Sequence, residues 1–322
     1  MQSNAHNPDS QVGYIGTSKN VGNCGYCSTG TGSQAFYLRA VTLSPLHYQK
    51  LLDLGWRRYG HLLYRPNLKK SCCIQYTIRH VKPSREHRKA LHRWENYVVG
   101  HGYLSECARK YPKTREEKKK LKTEFDLFRS VHGPEYPYLR TPPEPSRKFE
   151  VTIEPSTFTE EKYTLFQNYQ FTVHHEGPDK VSEYSFQRFL CNSPLISTPA
   201  SPSDGGKRMG SFHQMYRLNG RLIAMAVLDF LPWCVSGVYF MYHSDFSEWG
   251  FGKLSACREA ALAAEEGYKY YYMGFYIHNC PKMKYKGQFH PTYFLDPENN
   301  VWNLLDEQAK KIMSEKFYCS PS

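Results

Sequence analysis

The sequence predicts an α+β protein, with a C-terminal domain built on a mixed, largely antiparallel sheet and a smaller N-terminal α+β domain organised around cysteines. Three observations predict it. Between residues 210 and 242 three strand-like runs, GSFHQMYRLNG, RLIAMAVLDFLP and CVSGVYFMYHS, are separated only by the turn residues Asn219-Gly220 and Pro232. GKLSACREAALAAEEG then carries helical periodicity, reads as an amphipathic helix and stops at Gly267. Far upstream, Cys24 and Cys27 in NCGYCS and Cys72 and Cys73 in KKSCCIQYTIRH group four thiols into two pairs.

The elements follow in order. Residues 1–23 read as a lead-in with one short apolar patch, Val12 to Ile15. Cys24 and Cys27 form a knuckle around Gly25, and STGTGS follows as a loop. PLHYQKLLDLGWRR has apolar residues at helical spacing and a glycine stop at Gly55. HLLYRP and CIQYTIRHV read as short strands, and REHRKALHRWENYVVG as a basic helix ended by Gly100. YPKTREEKKKLKTEF is a solvated charge run and PYLRTPPEPSRK a proline-rich crossing segment. Domains are therefore expected at 1–108 and 149–322, joined by a linker at 109–148. In the second half FEVTIEP reads as a strand, TEEKYTLFQNYQFTVHHE and EYSFQRFLCN as helices, and KYYYMGFYI as a strand after the meander and its helix. Antiparallel strands, a helix and a further strand in that order form the core of an acyltransferase-type fold.

Composition narrows the function classes. The chain is 40% hydrophobic and carries 26 tyrosines, a residue suited to surfaces apolar on one side and wet on the other. Its +12 net charge is uneven: residues 1–150 hold 26 Lys+Arg against 12 Asp+Glu, and the remainder 16 against 18. A basic half joined to a near-neutral half points to polyanion docking by the first. Residues 57–93 concentrate this, with eleven Lys/Arg and one acid, Glu86, and with Tyr59, Tyr64, Tyr76 and Trp94 interleaved or adjacent. Such a stretch can meet phosphates and stack on unpaired bases. No apolar run is long enough for a membrane span, and MQSNAHNPDSQVG lacks the regions of a signal peptide, so a cytoplasmic, and also nuclear, location is expected. Ten cysteines in that setting point to metal or redox chemistry rather than disulfides.

Cys24, Cys27, Cys72 and Cys73 are the metal-ligand set, for zinc or an iron–sulfur cluster. Neighbouring side chains diverge along a strand, so Cys72 and Cys73 can share one centre only if the chain bends there. Of the other cysteines, Cys280 in HNCPKMKYK alone has polar company.

The motifs CGYC, LGWRRYG, CCIQYTIR, FLCNSPL, GSFHQMYRLNG, LDFLPWCVSGVYFMY and YYYMGFYIHNCPKMKYKGQFHPTYFLDPE, in this order, resemble those of arginyl-tRNA–protein transferases across nearly the whole chain. The sequence departs from the family pattern at His243, Phe251 and His290, where Asp, Leu and Arg are expected. The resemblance implies an acetyltransferase-like (GNAT) C-terminal domain. It also implies an N-terminal domain whose four cysteines hold an iron–sulfur cluster or zinc. The implied activity moves arginine from arginyl-tRNA, the co-substrate, to the N-terminal α-amine of proteins beginning with Asp, Glu or oxidised Cys. Those products enter the ubiquitin-dependent N-degron pathway, with ubiquitin ligase machinery downstream.

That chemistry sorts the candidate residues. An acidic acceptor demands cations, and Lys282, Lys284 and Lys286 alternate along PKMKYKG, so an extended chain would aim all three one way. The donor arginine demands a carboxylate: Asp229, alone in an apolar strand, or Glu259 on the helix. Asp229 is preferred over Glu259 for this role, with an ion pair to a core arginine as its alternative. His213 and Gln214 fall on opposite faces of a strand, with Tyr216 on the Gln214 face, and His213 is a candidate base. Tyr276, His278 and Asn279 close a strand where such folds open their cleft. Arg57, Arg58, Lys69, Lys70, Arg79 and Tyr76 are the tRNA-facing set. Two other classes fit parts of the chain. One is an acetyl-CoA-dependent acetyltransferase, suggested by Trp249-Gly250-Phe251-Gly252-Lys253; the other is a non-catalytic, metal-stabilised RNA-binding or redox-sensing protein.

Overall fold

The computed structural model describes residues 10–20, 24, 26–27, 32–80, 87–200, 206–316 and 318–320. Residues 1–9 and 21–23 of the expected lead-in, Gly25 of the knuckle and Glu86 of the basic run lie outside the described residues.

Two sheets organise the described chain. The smaller has the order β1-β2-β4-β3, from β1 (Gln11–Asn20), β2 (Ser33–Thr42), β3 (Arg57–Tyr59) and β4 (Leu62–Pro66). The apolar patch Val12 to Ile15 is thus part of a ten-residue strand. The larger sheet draws β5 (Tyr76–His80) from the first half. The second half supplies β6 (Phe149–Pro155), β7 (Gly210–Leu218), β8 (Arg221–Leu231), β9 (Cys234–Tyr242), β10 (Tyr270–Tyr272), β11 (Phe275–Tyr276), β12 (Thr292–Leu295) and β13 (Trp302–Leu304). Its order is β13-β12-β5-β10-β9-β8-β7-β6, with β11 pairing β5. One strand of the cysteine-bearing half therefore lies inside the large sheet.

The meander forms as its three strand-like runs and their turn residues predict. Asn219 and Gly220 both have positive φ, 51° and 81°, the turn that suits the twist of β7 and β8. Strand β10 runs parallel to β9, pairing only Tyr270–Tyr272 with Cys234–Ser236. At Gly274, φ 80°, the chain leaves β9 and continues as β11 against β5. KYYYMGFYI is thus two short strands with an opening between them and the far half of β9.

Helix Phe251–Glu265 follows the meander as expected but is not amphipathic: Leu254, Cys257, Glu259, Ala260 and Leu262 bury faces all around it. It lies between the sheet and the helices Arg88–Lys110 and Leu127–His132. Small residues allow that close packing. The basic helix does not stop at Gly100; it kinks there, with φ 80° and ψ 158°, and runs to Lys110. A side chain at Gly100 would collide with Ser146. Trp94 of this helix is 3% exposed and sits among Phe149, Phe246, Trp249 and Phe251. It is a core residue, where truncation costs about 3–5 kcal/mol, and not a base-stacking surface. The charge run forms helix Arg115–Thr123, closed by a capping box between Thr114 and Glu117.

Candidate active site and metal centre

The four cysteines converge. One Sγ from each of Cys24, Cys27, Cys72 and Cys73 lies within 4.8 Å of all the others, and Cys27 Sγ is 3.6 Å from Cys72 Sγ. The bend demanded by the vicinal pair is present: residues 72 and 73 turn between the short helical segment Leu68–Lys70 and β5. The Cys72 amide donates to Gly32 O, which ties the turn to the start of β2. Four converged thiols with no competing carboxylate are a fit donor set for a soft metal.

This cluster abuts the C-terminal motif. Cys73 packs with Ile277 and Cys280, and a cavity of about 460 Å³ is lined by Tyr26, Cys72, Cys73, His278, Asn279 and Lys316, among others. Tyr276 Oη lies 2.7 Å from His278 Nδ1, and His278 Nε2 lies 2.7 Å from Ser314 Oγ. Burial lowers the imidazolium pKa of His278, and Lys284 and Lys310 lower it further, favouring the neutral ring. Tyr276 itself is buried and off the cavity wall, to which this block contributes Ile277, His278, Asn279 and Cys280.

Several expected site residues are structural instead. Asp229 is fully buried and held by a two-pronged pair with Arg58: Nε to Oδ2 at 2.6 Å and Nη2 to Oδ1 at 2.7 Å. Ser211 Oγ adds a third bond at 2.7 Å. Asp229 therefore has no free edge for a donor arginine, and Arg58 none for phosphate. His213 is buried, its Nε2 3.0 Å from Leu190 O; burial holds its imidazolium down to about 4. It is a neutral packing residue, not a base at a cleft. Gln214 does share a face with Tyr216, Nε2 donating to Tyr216 Oη at 2.5 Å, but both are buried. Tyr76 is 1% exposed and stacks edge-on with Phe294, so it cannot receive a base.

Of the basic set, Lys69 and Lys70 are exposed, Lys69 pairing with Glu298 at 2.8 Å. Arg79 is sandwiched at 4.0 Å between the Tyr270 and Trp302 rings. Arg57 is 5% exposed beneath the Tyr272 and Phe275 rings. The three lysines do not align, because PKMKYKG is helical, Pro281–Lys284 followed by Tyr285–Gln288. Lys282 and Lys284 point to solvent, while Lys286 Nζ turns inward to donate to Met273 O at 2.9 Å.

The inward face holds what sequence reasoning grouped only in part. Glu259 reaches the opening between β9 and β10, where Tyr271 Oη donates to its Oε2; its Oε1 has no partner among the described residues. Burial pushes the Glu259 carboxyl up to about 8, against the Tyr271 bond and the Lys286 charge. Burial and the neighbouring Arg57 charge lower Lys286 to about 8, opposed by Glu259 and Cys280. Gly237 makes this approach possible: a Cβ there would sit 3.1 Å from Tyr271 Oη and 3.6 Å from Glu259 Oε2. Lys286 thus links the Arg57 and Glu259 charges, and Cys280, which also acts on it, packs against Cys73 of the metal-ligand set.

Two family models match this chain, in order. "Arginine-tRNA-protein transferase, N terminus" covers residues 22–89, and "Arginine-tRNA-protein transferase, C terminus" covers 161–296. The chain belongs to the arginyl-tRNA–protein transferase family. Among curated members of the family, arginyl-tRNA–protein transferase 1 of Saccharomyces cerevisiae is 32% identical, over 75% of this chain and 47% of its own length. Arginyl-tRNA–protein transferase 2 of Arabidopsis thaliana is 38% identical over 53% of this chain and 30% of its own length. The chain thus spans half or less of the length of these relatives. An aspartate/glutamate leucyltransferase of Stutzerimonas stutzeri is 28% identical over 88% of the chain and 93% of its own length.

Proposed function

We propose that this chain performs the transfer its family is named for: arginine moves from the ester of arginyl-tRNA to the N-terminal α-amine of a protein beginning with Asp, Glu or oxidised Cys. The observation that carries the reading is the group beside β9 and β10 in which the buried carboxyl of Glu259 and the half-buried Lys286, both in the block matched by the C-terminal family model, lie close to the buried Arg57 of the N-terminal block. The amine attacks the ester carbonyl, an amide forms, and the tRNA hydroxyl leaves with a proton. The ester is already activated, so placement of the two reactants supplies much of the rate. With Asp229 committed to Arg58, Glu259 is the carboxyl that meets the donor's guanidinium, whose charge would favour its ionised form. Lys286 belongs to the acceptor side, and His278 is the candidate imidazole for the amine's proton, once one of its ring nitrogens gives up its bond to Tyr276 or Ser314.

The large sheet supports an acetyltransferase-like (GNAT) reading: an antiparallel β6–β9, a helix, then β10 beside β9 and diverging from it. Exposed Lys69 and Lys70 are the phosphate contacts retained from the basic stretch. The four thiols would hold the metal. The donor set suits zinc or an iron–sulfur cluster, either of which would be held by these four side chains. A metal there ties residues 24–27 to the start of β5, stiffening the tRNA-facing half. Acceptors so modified would pass to ubiquitin ligases in the cytoplasm or nucleus.

The test charges tRNA with radiolabelled arginine and offers peptides beginning with Asp, Glu or Ala. Label confined to the acidic peptides is expected. No labelled peptide, together with acetyl-CoA-dependent acetylation, would move the chain to the acetyltransferase class.

A further inference from the structure

We propose that Arg57, seconded by Lys286, is the specificity residue that grips the carboxylate of the acceptor's first side chain. The inference rests on the transfer reading above and adds a residue that the basic-patch argument assigned to tRNA.

Arg57 Nη1 donates to Trp56 O at 2.8 Å and to Leu52 O at 3.4 Å. Its Nε and Nη2 have no partner among the described residues, although only 5% of the residue is exposed. A buried guanidinium edge without an acceptor is costly. The adjacent residue shows what this fold does when an arginine is merely structural: Arg58 offers the same Nε–Nη2 edge to Asp229 and has both bonds made. At Arg57 that edge is buried without a partner among the described residues and flanked by aromatic rings, with Tyr272 5.4 Å and Phe275 5.5 Å from the guanidinium carbon. Lys286 Nζ donates to Met273 O, in the backbone between the same Tyr272 and Phe275, which brings a second cation to this segment. The carboxyl of Glu259 accepts from Tyr271 at Oε2, and its Oε1 makes no bond to Arg57 among the described residues. The missing anion is therefore brought by a ligand. A guanidinium edge matches a carboxylate through two parallel bonds. The depth of Arg57 suits a short side chain and excludes a phosphodiester strand, and a relative of this chain is named an aspartate/glutamate leucyltransferase.

The test compares wild type, Arg57→Met and Arg57→Lys, using arginyl-tRNA and peptides that differ only in a first residue of Asp or Asn. The ratio of kcat/KM for Asp over Asn should fall about tenfold or more in Arg57→Met, the scale of a lost charge-assisted bond, and less in Arg57→Lys. Anisotropy of a labelled Asp-first peptide without tRNA should show the same loss of affinity. An unchanged ratio overturns the proposal. So does an equal fall for both peptides with a raised KM for arginyl-tRNA, which makes Arg57 a phosphate contact. Should Arg57→Met lose its melting transition, the ratio in Arg57→Lys decides alone. Wild type that transfers no arginine refutes the functional reading instead; wild type that discriminates beside a variant that discriminates equally refutes only the role of Arg57.

Discussion

Arg57 and Arg58 are consecutive residues of one short strand, and their side chains meet opposite environments. Arg58 enters the large sheet and is closed off by Asp229 and Ser211. Arg57 enters the space under Tyr272 and Phe275, where half its guanidinium waits for an acceptor. Strand alternation separates the two faces, and only the partner differs. A cation whose anion is built into the fold is a structural pin, whereas one whose anion is missing is a binding group. The contrast warns against reading a basic run as a surface: Arg57, Arg58 and Tyr76, and Trp94 just beyond it, are buried, whereas Tyr59 is exposed.

The comparison can be broken most sharply at the pin. Arg58→Met should cost about 3–5 kcal/mol in urea unfolding, because Asp229 is left as an uncompensated buried charge. Adding Asp229→Leu should recover much of it; a single variant as stable as wild type would end the structural reading. Next in size is the metal centre. Cys73→Ser should lower bound metal per chain, measured by elemental analysis, and destabilise by on the order of 2 kcal/mol or more. Unchanged metal content would dissolve the four-thiol site.

The binding face has a pH signature. Lys286, lowered to about 8, is charged below that pH and loses its charge above it. The preference for Asp-first over Asn-first peptides should therefore weaken from pH 7 to pH 9 in wild type, and the pH profile of that ratio should flatten in Lys286→Met. A smaller effect lies away from both faces. His132 bonds Glu135 and Glu265; burial opposes its charge, but these bonds raise it to about 9. Its folded pKa exceeds the unfolded value, so its contribution is full below pH 6.5 and lost as pH rises through 9. His132→Ala should remove about 1–2 kcal/mol at pH 6 and little at pH 10, read from melting curves at each pH. Least of all, Lys284→Glu should leave acceptor preference within about twofold, since that lysine faces solvent and exposed pairs are weak.

Much of the fold was legible because local pattern reports local burial. The apolar strand-like runs of β7–β9, the Asn219-Gly220 turn and the helix before Gly267 are all read from short windows. The helix Phe251–Glu265 shows where this stops: its small residues follow from sequence, but being covered on every side depends on elements over 100 residues away. PKMKYKG shows another limit, since alternating lysines suit a strand and the Pro281 start of a helix equally well.

The sequence alone determined the metal-ligand set, the family and the order of the elements, because thiol spacing, turn residues and periodicity are properties of contiguous chain. Tertiary structure alone decided the fate of each charge. Asp229 is neutralised by a residue 171 positions away, Glu259 is held by Tyr271, and Arg57 is left one anion short. A charge is stable or active according to what surrounds it in space, and residues distant in sequence build those surroundings.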